Sequence, residues 1–372
     1  MKVIKAHTKK EVREFVRLPA RIFKNHPCYV PPLWLDENKG YSAKNNPILS
    51  ASEFELLLLL DDDNIPIGRT IVYIDHNYNK HYKSYIGFFG AFECVADDSG
   101  ARLLITAAED WLKERTVGTI RGPINPVAEN WGFVCEGYDS TPVYMSPWNP
   151  PYYHDFFTGH GYQKVKDLFV YEADMTKGYI LPERFNTFYD RFLKRFPDIH
   201  IRQLDMSRIK EDARSIWEIS NIALADNWGY VPVDLPVMED MLRKLKLIVD
   251  PDAVWIVEDK ETVVGFCLGF PDINVLLKRI HGRLFPFGWA RLLSGVKKLH
   301  DYRLFGLAVH PDWQGRALDS LMYINLYRNL AAKKVRMEAN YILEDNLRIK
   351  HALEKLEMEK IKTYRIYEKS LC

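Results

Sequence analysis

The sequence predicts an α/β protein made of two tandem mixed-sheet domains with flanking helices. Three observations carry this. The order hairpin, strand, turn, helix, strand, helix, strand can be read in the second half of the chain and, more faintly, in the first. A self-similarity of about half the chain marks two copies of one supersecondary unit. The 372 residues also exceed what one ordinary core holds, so two domains are expected.

In the first half, residues 54–75 (FELLLLLDDDNIPIGRTIVYID) hold two β-rich runs around a polar turn, a hairpin pattern. YIGFFGAFECV (85–95) reads as a strand. ARLLITAAEDWLKERT (101–116) has a helical apolar stripe at Leu103, Leu104, Ala107, Ala108, Trp111 and Leu112. VGTIRGPI (117–124) reads as a strand, and residues 151–175 as a short helix and two strands.

The second half repeats the order. AVWIVEDKETVVGFCLGFPD (253–272) is a hairpin around EDKET, and YRLFGLAVHP (302–311) a strand. Gln314 to Lys334 is spaced as a helix, with Leu318, Leu321, Met322, Ile324, Leu326 and Leu330 on a broad apolar face. VRMEANYIL (335–343) is a strand, Asn346 to Leu356 a helix, and KIKTYRIYEKSL (360–371) a closing strand. The seam falls near 178–200.

Apolar residues at 47% and charged residues at 27% fit an ordinary soluble globular chain. The 51 basic and 50 acidic residues cancel, so no whole-chain field gathers nucleic acid, and none is expected as a partner. Cys28, Cys94, Cys135, Cys267 and Cys372 lack CxxC spacing, which argues against disulfides and a zinc site. Of the eleven histidines, His76, His81, His154 and His160 show no ligand spacing, so no metal is expected. The N-terminal MKVIKAHTKKEVREF has no apolar signal region, and the longest aliphatic run, Leu56 to Leu60, is too short to span a bilayer. The expected location is cytoplasmic.

AVHPDWQGRALDS (308–320) leaves an apolar strand, turns at Pro311 and Gly315, and enters a helix. Backbone N–H groups at such a helix start carry partial positive charge and accept a diphosphate. The stretch resembles the Q/R-x-x-G-x-G/A turn of the GNAT acyltransferase superfamily, and both halves resemble GNAT-like domains. The resemblance implies acetyl-CoA or a longer acyl-CoA as co-substrate. Leu307, Ala308 and Val309 fit its strand end. Gln314, Gly315, Arg316, Ala317, Leu318, Asp319 and Ser320 fit its cradle. Ala317 stands where the pattern has Gly; a methyl there is tolerable if φ is negative. Asp319 replaces Gly or Ala and would repel a diphosphate unless it points away or caps the helix.

EDNLRIKHALEKLEMEKIKTYRIYEK (344–369) resembles the superfamily's downstream pattern, with Asn346 and Glu354-Lys355-Leu356 in place. Leu353 occupies the position of the usual acidic Tyr, and Glu357 that of a Gly. The thiolate is then protonated by Tyr341, Tyr364 or Tyr367, or leaves unassisted. A backbone N–H at Ala308 or Val309 is expected to polarise the thioester carbonyl. The base candidate is Glu338, with Glu344 and Asp345 behind it. The catalytic set is therefore Glu338, Tyr341 and Asn346.

In the first half, VADDSGARLLI (95–105) keeps Gly100 and Ala101, but Asp97 and Asp98 stand where phosphates would arrive. This half is expected to be a degenerate copy that shapes the substrate cleft, with the Pro- and aromatic-rich 122–153 loop. In 221–242 the resemblance puts Trp228 and Tyr230 at an acceptor pocket. Residues 273–300 hold Lys278, Arg279, Arg283, Arg291, Lys297 and Lys298, no acid, and interleaved Leu, Phe and Trp. Such a stretch suits an anionic membrane surface, an acyl chain or CoA phosphates, or it packs as a helical hairpin with its basic face in water.

The expected organisation is a degenerate GNAT-like domain over 1–178, a linker over 179–199, and an acyltransferase domain over 200–372 with the basic insertion 273–300. GRLFPFG and YILEDN with KTYRIYEK resemble a group of bacterial GNAT-like proteins that includes lipid-amine acylating ones. The resemblance is strong over 302–370 and weak over 1–178. The expected function is acyl-CoA-dependent N-acyl transfer to a small-molecule or lipid amine, peripheral to the inner membrane where 273–300 reaches it. An aminoacyl-tRNA-dependent transferase and a non-catalytic acyl-ligand-binding module stay open.

Overall fold

The computed structural model describes residues 1–127 and 130–371; Ala128 and Glu129, inside the 122–153 segment, and Cys372 lie outside them. The first half runs β1 (Lys2–Lys5), α1 (Lys9–Ile22), α2 (Trp34–Gly40), α3 (Pro47–Ser50), β2 (Ser52–Leu60), β3 (Pro66–Asp75), α4 (His76–Tyr82), β4 (Gly87–Cys94), α5 (Asp98–Lys113), β5 (Thr119–Gly122), β6 (Ile124–Asn125), β7 (Asn130–Trp131), β8 (Phe133–Glu136), α6 (Tyr153–Gly159) and β9 (Gln163–Asp174). The second runs α7 (Arg184–Arg195), β10 (Ile199–Gln203), α8 (Ile209–Ala223), α9 (Leu235–Leu245), β11 (Val254–Asp259), β12 (Thr262–Pro271), α10 (Asn274–Arg279), α11 (Gly288–Val296), β13 (Asp301–Val309), α12 (Leu318–Ala331), β14 (Arg336–Leu343), α13 (Leu347–Lys355) and β15 (Glu359–Ser370).

These elements form two compact units, neither continuous in sequence. Unit 1 is Met1–Leu168 with Leu277–Gly288 and Lys362–Cys372; unit 2 is Phe169–Leu276 with Trp289–Ile361. The units therefore cross the boundaries expected from the chain order.

Unit 1 carries the strand order β1-β2-β3-β4-β5, followed by the later part of β15. Leu57, Leu59, Val72, Ile74 and Phe89 meet Leu104, Ala108, Trp111 and Leu112 of α5 in its core. Leu103, expected on that stripe, is exposed instead. Thr8 and Glu11 form a capping box that starts α1. Pro19 inside α1 has no N–H for the Phe15 carbonyl one turn back; Arg69 Nη1 donates to that carbonyl at 2.8 Å instead. Two expectations change here. Residues 151–175 hold one helix and one long strand rather than two strands, and the 122–153 loop contains β6, β7 and β8.

Unit 2 has the order β14-β13-β12-β11-β10, with the end of β9 beside β14. α12 lies in its core, with Leu318, Leu321, Met322, Ile324, Leu326 and Leu330 all buried. It starts at Leu318, later than Gln314, because residues 310–317 form the turn. α7 occupies much of the expected linker 179–199, and its Phe185 and Phe192 are buried in the same core.

Candidate active site

β13 pairs with β12 through a register shift: Leu268 faces Gly306 and Gly269 faces Leu304, which leaves Phe305 as an extra residue. Such a bulge changes which side chains face which side. Tyr302 and Leu304 point into the α12-side core; after the bulge Leu307 and Val309 do so, while Ala308 joins Phe266 and Ile219. With β14, β13 pairs only over Asp301–Leu304, against Arg336–Ala339. Beyond Leu304 the two parallel strands diverge, and Leu307, Ala308 and Val309 lie along that opening.

The turn after β13 heads this wedge. His310 N donates to Val264 O at 2.8 Å, Trp313 N to His310 O at 2.9 Å and Gln314 N to Pro311 O at 3.1 Å. Gln314 Nε2 donates to Val309 O at 3.1 Å, and Arg348 Nη1 donates to Gln314 Oε1 at 3.1 Å. The guanidinium of Arg316 lies 4.9 Å from the Trp313 ring centroid. Gly315 has φ +78° with open space where a Cβ would stand, so its conformation, not crowding, calls for glycine. Ala317 has φ +61°, the left-handed conformation, not the negative φ that would suit a methyl. Among the described residues, the N–H groups of Gly315, Arg316, Ala317, Leu318 and Asp319 donate to no partner, while Ser320 N donates to Ala317 O at 3.1 Å.

Five open donors at the start of a fourteen-residue helix fit a diphosphate. Asp319 is buried, and its charge reaches Tyr323, the next turn along, which also feels Cys267 of β12. Its side chain is therefore packed against α12, near the turn that carries Tyr323. The residues present fit the phosphate end of a CoA thioester.

The expected catalytic residues are placed as follows. Glu338 is 1% exposed and faces the equally enclosed Arg303 in register. Arg336 Nη1 donates to Glu338 at 3.0 Å and to Glu172 at 2.8 Å, while Arg336 Nε donates to Asp301 at 2.7 Å. Tyr341 lies on β14 with the Arg303 guanidinium 5.2 Å from its ring centroid. Asn346 Oδ1 accepts from Ile349 N at 3.2 Å and caps α13. The Glu344 carbonyl accepts from Lys350 Nζ at 3.0 Å. Leu353 is wholly enclosed in the unit 2 core, among apolar side chains. Tyr364 and Tyr367 belong to unit 1. The Tyr367 hydroxyl pairs with His154 Nδ1 at 2.5 Å, and burial pushes it up to about 12. Because the Val134 carbonyl accepts from His154 Nε2 at 2.6 Å, Nδ1 of the neutral ring accepts from Tyr367. In the loop between α8 and α9, the Tyr230 hydroxyl donates to Asn221 Oδ1 at 2.7 Å, fixing that turn.

Unit 1 repeats the bulge: Arg69 faces Glu93 and Ile71 faces Gly90, with Ala91 at φ +47°. β4 pairs with β5 only at Gly87 and Phe88. Here the chain itself fills the divergence. The β6–β7 hairpin lies against β4 so closely that a Cβ on Gly90 would stand 2.4 Å from Ile124 O, and Tyr73 Oη donates to that same oxygen at 3.0 Å. Asp97 caps α5 by accepting from Ser99 N at 3.1 Å. Sequence reasoning missed this hairpin; Gly90 inside a strand was its one signal.

Burial pushes the Glu93 carboxyl up to about 7, against the Arg69 guanidinium 3.9 Å away and the Tyr153 hydroxyl donating at 3.0 Å. Among the described residues no three His, Cys, Asp or Glu side chains group to hold a metal ion, and no helix is long and apolar enough to cross a membrane.

No family model matches the chain. It is 31% identical over 383 residues to the bacterial ceramide synthase of Caulobacter vibrioides (strain NA1000 / CB15N), covering 100% of this chain and 98% of that one. The chain belongs to the bacterial ceramide synthase family. It is also 29% identical over 371 residues to protein YghO of Escherichia coli (strain K12), covering 98% and 94% of the two chains. Among solved structures, a tandem GNAT protein from the clavulanic acid biosynthesis pathway superposes with a TM-score of 0.56 at 12% identity, over 100% of this chain and 98% of that one. This member of the ceramide synthase family therefore has a tandem GNAT fold, with the bulged strand and the α12 turn in unit 2.

Proposed function

We propose that the chain is an acyl-CoA-dependent N-acyltransferase whose acceptor is a long-chain lipid amine and which works at a membrane surface. One observation carries the reading: five N–H groups from Gly315 to Asp319 stand open at the head of the wedge between β13 and β14. The ceramide synthase name of the Caulobacter relative supports a lipid amine as acceptor. The filled divergence in unit 1 supports a single donor site, in unit 2.

The bound co-substrate supplies an activated acyl thioester. The N–H groups of residues 315–319 hold its diphosphate. The free edge of β13 after Phe305 orients the arm behind it. The N–H of Ala308 or Val309 stabilises negative charge on the thioester oxygen. As the amine nitrogen bonds to the acyl carbon, the C–S bond breaks, the amine loses a proton and the thiolate gains one. Tyr341 on β14 is the proton donor in this scheme. Asn346 positions α13, and Gln314 holds the turn onto β13 through the Val309 carbonyl. Glu338, enclosed and bound by Arg336, keeps β14 in place and is not assigned the base.

Calorimetry is the test. Acyl-CoA is expected to bind, and Gly315→Pro to weaken it, because Pro cannot adopt φ +78°. No binding of CoA or acyl-CoA at millimolar concentration would falsify the reading. Binding without acylation of any long-chain amine would leave a ligand-binding module.

A further inference from the structure

Unit 1 carries a surface that acyl transfer itself does not use. Residues 277–288 are anchored on α2: Trp34 N donates to Gly282 O at 3.1 Å and Trp34 Nε1 to His281 O at 2.8 Å. Gly282 has φ +68°, and a Cβ there would stand 2.0 Å from Pro32 O, so only glycine fits. Lys278 Nζ adds bonds to Pro27 O at 2.5 Å and Thr141 Oγ1 at 3.0 Å.

This anchored segment then exposes two phenylalanines. Phe285 is 74% and Phe287 71% exposed, and Leu35 on α2 is 46% exposed. A flexible loop could fold such rings inward; here the turn before them is pinned. Large apolar groups presented together to water mark an interaction surface.

Three arginines gather nearby, while α2 itself carries Asp36 and Glu37 in its first turn. Arg13 and Arg17 lie four residues apart on one face of α1. The Arg17 guanidinium sits 3.9 Å from the Trp34 ring centroid, the same Trp34 that anchors the segment. Burial, then the charges of Arg13 and Arg283, weaken the hold of Arg17 on its proton. Among the described residues, Arg13, Arg17 and Arg283 have no carboxylate partner. Unpaired guanidiniums that repel one another call for anions, and planar guanidinium suits phosphate. Aromatic rings beside phosphate-binding cations match the boundary of a bilayer, where headgroup phosphates border acyl chains.

We propose that this face of unit 1 docks on an anionic phospholipid bilayer, with Phe285 and Phe287 entering the headgroup–acyl boundary and Arg13, Arg17 and Arg283 holding lipid phosphates. The inference deepens the lipid-amine reading by supplying the surface on which such an acceptor resides. Its test needs no acyl donor, so the two can fail separately.

The full chain is sedimented with vesicles of phosphatidylcholine alone or mixed with phosphatidylglycerol. Binding is expected only to the mixed vesicles and is expected to weaken with salt. Phe285→Ala with Phe287→Ala is expected to lower the bound fraction several-fold at fixed salt, with the thermal melt unchanged, since both rings are exposed. Arg283→Gln is expected to weaken binding about fivefold. No sedimentation with either vesicle overturns the proposal. So does binding to mixed vesicles that the double variant leaves unchanged, which would be charge attraction without insertion. A wild-type dimer that the double variant dissociates, without vesicle binding, would assign the face to a second copy of the chain.

Discussion

Asp319 lies one helical turn before Tyr323 on the enclosed flank of α12, and after burial its charge is the largest cause holding the Tyr323 hydroxyl well above its ordinary value. The side chain of Tyr323 tilts back towards the helix start, which brings the pair together. A buried acid in the cradle thus coexists with open N–H groups. It still opposes an anion bound at the same terminus. Asp319→Asn is expected to tighten acyl-CoA binding about two- to fivefold, read by calorimetry. Weaker binding would make the carboxylate part of ligand recognition.

Ala317 offers a second test of the same turn. At φ +61° it adopts a conformation that disfavours any side chain with a Cβ. Ala317→Gly is expected to stabilise the chain by up to about 1 kcal/mol, the relief of strain exceeding the extra freedom of glycine when unfolded. Ala317→Val is expected to destabilise it and to weaken acyl-CoA binding. Urea unfolding measures the first effect and calorimetry the second.

Glu338→Gln separates two roles. An enclosed carboxylate that accepts from Arg336 predicts a loss of about 1–3 kcal/mol in stability. The pH dependence of acyl transfer is expected to keep its shape. A variant of full stability that loses the acidic limb of that profile would restore Glu338 as the base.

Glu93 predicts a pH effect on unit 1. Its folded carboxyl keeps its proton up to about 7, against an ordinary 4.5. Between those values the folded chain holds more protons than the unfolded chain, so stability falls as pH rises through this window and the loss is complete above about 7. Glu93→Gln is expected to flatten this slope, worth about 1–3 kcal/mol between about pH 5 and about pH 8. Thermal melts across that range check it; an unchanged slope would place the titrating group elsewhere.

Local elements were legible wherever one period ran unbroken. The β11–β12 hairpin and the apolar face of α12 lie where spacing alone put them. So does the strand–turn–helix around Gly315, because left-handed turns and helix starts are written in a few adjacent residues. The β6–β7 hairpin was not legible. Its strands are two residues each, too short to show alternation, and only the missing side chain of Gly90 hinted at their approach to β4. The partners of Tyr364 and Tyr367 were not legible either: Tyr364 faces Val134 of β8 and Tyr367 faces Gly122 of β5, residues more than two hundred positions away.

The sequence alone determined the main strands and helices of each half, their order and the turn able to face a diphosphate. Each follows from side-chain period and backbone freedom over a dozen residues or fewer. Tertiary structure decided the rest: where β13 leaves β14, that the matching gap in unit 1 is filled, and that Glu338 and Asp319 are buried. Strand partners lie far apart in the chain, and the free energy of a charge depends on what surrounds it in space rather than on its neighbours in sequence.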